Sequence, residues 1–128
     1  MTDLEDRQVL IVDDEHVFLR LINLYLKKIG FKKIIATDDG KKALQLLNSN
    51  KIDLIICDWH MPQMDGVALY QEIKNNPKLE RTPFIMLTSE HEKSKIAEAM
   101  QLGIINYIFK PFDPEQLEMI IKGLLNLL

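Results

Sequence analysis

One cysteine, Cys57, is the whole thiol content of this 128-residue chain. No internal disulfide can form. A lone thiol inside an apolar run reads as a small buried hydrophobe in a protein of a reducing compartment, so the cytoplasm is the expected location. Hydrophobic residues make up 47% of the chain, yet no apolar run approaches the roughly 20 residues of a membrane span, which argues against membrane insertion. The N-terminus, MTDLEDR, lacks the basic and then apolar regions of a secretory signal. Net charge is −3 and no block of Lys or Arg stands out, which argues against direct nucleic-acid binding. No repeat, linker or low-complexity stretch divides the sequence. Residues 1–128 therefore read as one domain, with 1–7 expected to be a flexible acidic tail.

What is present is an alternation. Five short apolar runs stand at QVLIV (8–12), KIIAT (33–37), DLIICD (53–58), PFIMLT (83–88) and NYIFK (106–110). The first, third and fourth are nearly continuous in apolar residues, as parallel strands covered on both faces should be. Helical spacing fills the intervals: Phe18, Leu21, Ile22, Tyr25 and Ile29, closed by Gly30; Ala43, Leu44 and Leu47; Val67, Leu69, Tyr70 and Ile73; then Ile96, Ala97 and Met100, ended by Gly103. In the last helix Asp113 is the cap, Pro114 suits the first turn, and Leu117, Ile120, Ile121, Leu124, Leu125 and Leu128 form one stripe. The pattern is (βα)5. It specifies an α/β fold, a doubly wound five-stranded parallel sheet in the order 2-1-3-4-5 with helices on both faces.

Ligands of such sheets bind beyond the carboxyl ends of the strands. There the chain places Asp13-Asp14 after the first strand, Thr37-Asp38 after the second, Asp58 after the third, Thr88-Ser89 after the fourth and Lys110-Pro111 after the fifth. One acidic strand end is weak evidence, since Asp13 or Asp14 could simply cap the first helix. Three carboxylates, a hydroxyl and a lysine on one edge are harder to call accidental. Close carboxylates repel and need a compensating cation. Oxygen ligands without His or Cys partners favour Mg²⁺. A carboxylate beside Mg²⁺ and a lysine is equipped to attack phosphorus, so the third strand ends on Asp58 because Asp58 is the reactive group.

Taken together, VDDE (12–15), DWHMPQMDG (58–66), TS (88–89) and YIFKPF (107–112) resemble the receiver domain of the response-regulator family, over nearly the whole length from Gln8. The resemblance implies that Asp58 accepts a phosphoryl group from the phosphohistidine of a sensor histidine kinase or phosphotransfer protein. It also implies that Asp14 ligates Mg²⁺ directly, Asp13 mainly through water, and His60 by its backbone carbonyl. Thr88 would bond the phosphoryl oxygen, Lys110 would pair with it, and Tyr107 would report the switch. His60 and Glu90 would tune dephosphorylation, and Lys110-Pro111 would be cis. Such a domain is a phosphoacceptor rather than a turnover enzyme.

Tyr107 and Phe109 share one face of an edge strand, and Ile96 and Met100 one stripe of the fourth helix. Periodicity alone also permits all four to be core. The resemblance places them, with Lys93, on an effector-binding face. The absence of any arginine after Arg81 leaves that face without the matched charges expected of a dimer, and a monomer is expected. His16, His60 and His91 fit no zinc spacing and are expected to be exposed bystanders, with Trp59 a partly exposed lid. Ile104-Ile105 departs from the small and polar residues usual before the fifth strand, which leaves that loop's packing open. Two other classes fit worse. A flavodoxin-like module needs a Ser/Thr/Gly-rich phosphate loop where this chain has DDEH. A dehalogenase-type phosphatase needs an acid two residues past its nucleophile, where His60 stands. A stand-alone regulator is expected, an excised receiver being the alternative.

Overall fold

The apolar runs become strands in the computed structural model, which describes residues 4–127. They are β1 (Gln8–Val12), β2 (Lys33–Thr37), β3 (Leu54–Asp58), β4 (Phe84–Thr88) and β5 (Tyr107–Phe109). All pairings are parallel, in the order β2-β1-β3-β4-β5. The helices between them are α1 (His16–Ile29), α2 (Gly40–Ser49), α3 (Gly66–Lys74), α4 (Lys93–Gln101) and α5 (Pro114–Leu124). Strands β3, β4 and β5 are a residue or two shorter than the apolar runs. Pro83, for one, has no N–H to donate and contributes only its carbonyl, which accepts from Ile55 at 2.9 Å.

Alternation along the central strands builds a core on each face. Val9, Ile11, Leu54, Ile56, Ile85 and Leu87 pack beneath Ile22 and Leu26 of α1 and Leu117 and Ile121 of α5. Leu10, Val12, Ile55, Cys57, Phe84 and Met86 pack beneath α2 and α3 through Ala43, Leu47, Leu69 and Ile73. Each such burial is worth about 1.5–3 kcal/mol. The central strands are apolar throughout because neither face meets water.

Local signals set the helix ends. Gly30 takes φ 131° and donates its N–H to the Leu26 carbonyl, ending α1 as a C-cap glycine can. Asp39, Asp65 and Asp113 cap α2, α3 and α5 with their side chains, Asp113 in a full capping box with Gln116. The α5 stripe is seen in buried Leu117, Ile121 and Leu125, while Leu128 lies outside the described residues.

Two expectations need correction, and one open point is settled. Leu4 is buried against α1 and Gly30, so the tail expected through residue 7 does not reach that far; residues 1–3 lie outside the described part. On α4 the buried small residue is Ala99 rather than Ala97, because the helix meets the sheet through Ala99 and, partly, Ile96. The open question at Ile104-Ile105 resolves into a buried Ile104 and an exposed Ile105.

Candidate functional site

Parallel strands all end in the same direction, and residues from four of those ends come together at the carboxyl end of the sheet. Asp13 follows β1, Asp58 ends β3, Thr88 ends β4, and Lys110 follows β5 with its N–H on the Thr88 carbonyl at 2.9 Å. Asp13 and Thr88 are fully buried and Asp58 is 4% exposed. Lys110 reaches across from the edge, its Nζ 2.9 Å from Asp13 Oδ2, 3.1 Å from Asp58 Oδ1 and 3.2 Å from Glu15 Oε1. The ammonium also lies over the Phe18 ring, 4.1 Å from its centroid. The Glu15 N–H donates to Asp13 Oδ1 at 2.9 Å, and the Glu90 N–H donates to Thr88 Oγ1 at 2.7 Å. The loop after Asp58 returns close beside it. The Gly66 N–H donates to the Trp59 carbonyl at 2.7 Å, and a Cβ at Gly66 would stand 2.5 Å from the Asp58 carbonyl oxygen. Only glycine fits there.

Burial and charge pull against each other among these side chains. Burial first, and then the charge of Asp13, push the Asp58 carboxyl up to about 6, against the opposing pull of Lys110. Asp13 is raised too, by burial, despite its hydrogen bonds from Lys110 and the Glu15 backbone. Burial tends to lower Lys110, yet its hydrogen bond to Asp13 and the charges of Asp13 and Asp58 outweigh it, leaving the ammonium above the ordinary lysine value. Asp13, Asp14, Glu15 and Asp58 each bring one carboxylate oxygen within 4.8 Å of the others. A single lysine does not balance that charge. The Glu15 carboxylate is held on Lys110, and Asp13, Asp14 and Asp58 remain as an all-oxygen donor set that fits a divalent cation such as Mg²⁺.

The fold thus gathers Asp13, Asp14, Asp58, Thr88 and Lys110. His60 stands two residues past Asp58, with its ring nitrogen Nε2 3.0 Å from Glu90 Oε2. The Lys110–Pro111 bond is cis. Tyr107 lies further back, its ring 6.3 Å from that of Trp59 and its hydroxyl buried without a hydrogen-bond partner among the described residues. Of the expected partner face, Met100 and Phe109 are 51% and 41% exposed and Lys93 is exposed, whereas Ile96 and Tyr107 are half-buried against the core.

Trp59 is buried, which corrects the expected lid. Its N–H donates to the Leu87 carbonyl at 2.9 Å, so the pleat continues past Asp58 and places Trp59 on the same inner face as Ile55 and Cys57. The three histidines are exposed but each has a neighbour: His16 pairs with Asp38 at 3.1 Å, His60 with Glu90, and His91 stacks on Phe109 at 5.5 Å. Sequence reasoning missed Glu15 on Lys110. The available signal was a third acid directly after Asp13-Asp14. A separate groove of about 660 Å³, between α1 and α2 beside β2, contains none of the gathered residues.

Comparison with known proteins agrees with this arrangement. Residues 9–122 match the model of the response regulator receiver domain. The chain is 36% identical over 111 residues to the chemotaxis protein CheY of Pseudomonas aeruginosa, covering 87% of this chain and 90% of that protein. Among solved structures it superposes on the signal receiver domain of an HD domain-containing protein from Pseudomonas fluorescens with a TM-score of 0.84 at 32% identity, covering 94% of each chain. It also superposes, with a TM-score of 0.85 at 26% identity, on the receiver domain of a Pseudomonas aeruginosa sensor histidine kinase that has a magnesium ion coordinated in its active-site cleft, covering 94% of this chain and 98% of that one. A matched family model over most of its length, a shared strand order and the acids, hydroxyl and lysine at the strand ends identify the chain as a member of the response-regulator receiver family of two-component signalling.

Proposed function

We propose that the chain is a phosphorylation-operated signalling switch whose acceptor is Asp58. The observation that carries this reading is a buried carboxylate at a strand end, 3.1 Å from Lys110 Nζ and among further acids. With its pKa near 6, Asp58 is mostly ionised at neutral pH and remains nucleophilic. A carboxylate oxygen of Asp58 forms a bond to phosphorus as the P–N bond of a donor phosphohistidine breaks. The imidazole leaves with the donor, a sensor histidine kinase or phosphotransfer protein, and an acyl phosphate remains on Asp58. Asp13, Asp14, Asp58 and the His60 backbone carbonyl would hold Mg²⁺, which supplies charge neutralisation for the phosphoryl oxygens. Lys110 pairs with one of those oxygens and Asp13 keeps the ammonium in place. Thr88, whose Oγ1 accepts from the Glu90 N–H in the unmodified protein, bonds a phosphoryl oxygen through its hydroxyl.

Motion at Thr88 opens space for Tyr107 and reshapes the surface formed by Lys93, Ile96, Met100, Tyr107 and Phe109, where an effector protein binds; this is a shift between two arrangements of one fold. The chain promotes its own phosphorylation and dephosphorylation and is not a turnover enzyme. It works as a cytoplasmic monomer; among the described residues no helix is long and apolar enough to cross a membrane. The test is chemical. Acetyl phosphate with Mg²⁺ labels the wild type with an acid-stable, alkali-labile phosphoryl group, and Asp58→Asn, which folds, takes none. An unlabelled wild type, or stoichiometric labelling of Asp58→Asn, overturns the assignment.

A further inference from the structure

We propose that Glu15 is a stand-in for the phosphoryl group: its carboxylate occupies one donor of Lys110 in the unmodified protein and is displaced when Asp58 is modified. This inference rests on the reading of Asp58 as acceptor and adds a residue that sets how tightly the site holds its phosphoryl group.

A lysine ammonium has three N–H donors. Here three carboxylate oxygens lie within reach, from Asp13 at 2.9 Å, Asp58 at 3.1 Å and Glu15 at 3.2 Å. A phosphoryl oxygen that pairs with Lys110 therefore has to take a place already held. Asp13 is not free to give up its place. It is fully buried, and its other oxygen is tied to the Glu15 N–H. Asp58 is the group being modified. Glu15 alone of the three has a long, exposed side chain, 57% open to solvent, that can swing into water.

The local helix does not account for a glutamate at this position. Glu15 is the N-cap of α1, where short Ser, Thr, Asp and Asn side chains are favoured, and it makes no side-chain cap bond. Asp39, Asp65 and Asp113 at the heads of α2, α3 and α5 all do. Glu92 of α4 also makes none, and it lies 3.7 Å from Lys95 instead. At position 15 the carboxylate is directed to Lys110 rather than to the backbone. The same negative charge stands beside the path of any anionic donor, so Glu15 opposes phosphoryl binding twice, by competition and by repulsion.

Calorimetric titration with beryllofluoride in saturating Mg²⁺, and separately with Mg²⁺ alone, tests this on wild type, Glu15→Gln, Glu15→Ser and Asp58→Asn. Glu15→Gln keeps the length and removes the charge. Glu15→Ser removes both and supplies a proper cap, so it guards against misfolding. Both should bind beryllofluoride more tightly, by roughly 2- to 5-fold, the range of an exposed ion pair, with Mg²⁺ affinity held within about 2-fold. Unchanged or weaker beryllofluoride binding in both variants overturns the proposal. A loss of Mg²⁺ affinity in both also overturns it, and assigns Glu15 to the cation instead. If the wild type binds no beryllofluoride in an Asp58-dependent manner, the acceptor reading falls and this inference with it. Wild-type binding with unaltered variants removes only the role of Glu15.

Discussion

Cys57 and Asp58 are adjacent on β3 and both almost sealed from water, yet one sits in the apolar core and the other among charges. Below that boundary, β1, β3 and β4 present side chains that gain from leaving water. Above it, β1 and β3 lead into carboxylates that lose by it, and the direction in which Asp58 and Asp13 are shifted records that loss. The site is thus imposed on the sheet's ends at a cost in stability, and the interior supplies the surplus.

The largest effect expected is in the interior. Ile56→Ala, at a fully buried position, should destabilise by about 2–5 kcal/mol, read as a lower midpoint in urea unfolding with little change in slope. A loss under about 1 kcal/mol would show that the layer beneath the site is not the source of stability.

Removing the charge at the strand end should have the opposite sign. The folded-state value of Asp58, about 6, lies above the ordinary 3.8, so the folded protein binds the proton more tightly than the unfolded chain. Stability from this group is fully present below about pH 4 and is lost as pH rises through about 6. The gap corresponds to about 2–3 kcal/mol at neutral pH. Asp58→Asn should therefore be more stable than wild type at pH 7, with the difference shrinking as pH falls toward 4. Asp13, shifted in the same direction, keeps part of the slope in the variant. A pH-independent difference would contradict the electrostatic account.

The smallest effect lies outside both regions. Asp113→Ala removes one half of the capping box of α5 and should cost about 1 kcal/mol by thermal or urea unfolding, without the pH signature of Asp58. A larger loss would mean that α5 leans on its cap more than on Leu117 and Ile121.

Much of this was legible in the sequence for physical reasons. Strands buried on both faces must be apolar throughout, so β1, β3 and β4 announce themselves, and parallel strands bring their carboxyl ends together whatever lies between. That is why Asp13, Asp58, Thr88 and Lys110 could be grouped before their distances were known. The errors fall where a side chain's direction depends on one backbone bond. Trp59 follows a polar residue and looks like a loop residue, but its N–H stays in the ladder and turns its ring inward. Glu15 reads as part of an acidic run, and only the reach of Lys110 from the far edge of the sheet gives it a partner. Ala97 and Ala99 are indistinguishable by composition. Half a helical turn separates exposure from burial there.

The ion pair between Lys110 and Asp13 spans 97 positions of the chain. Because synthesis runs from the N-terminus, both buried acids leave the ribosome well before their lysine. At roughly 5–20 residues per second, the 52 positions from Asp58 to Lys110 take about 3–10 s to make. During that interval β1 and β3 can pair only with their terminal carboxylates hydrated, protonated or held by some other cation. The finished arrangement of charges is thus the last thing the growing chain can acquire, and a nascent chain stalled before β5 carries the acids without the base that belongs to them.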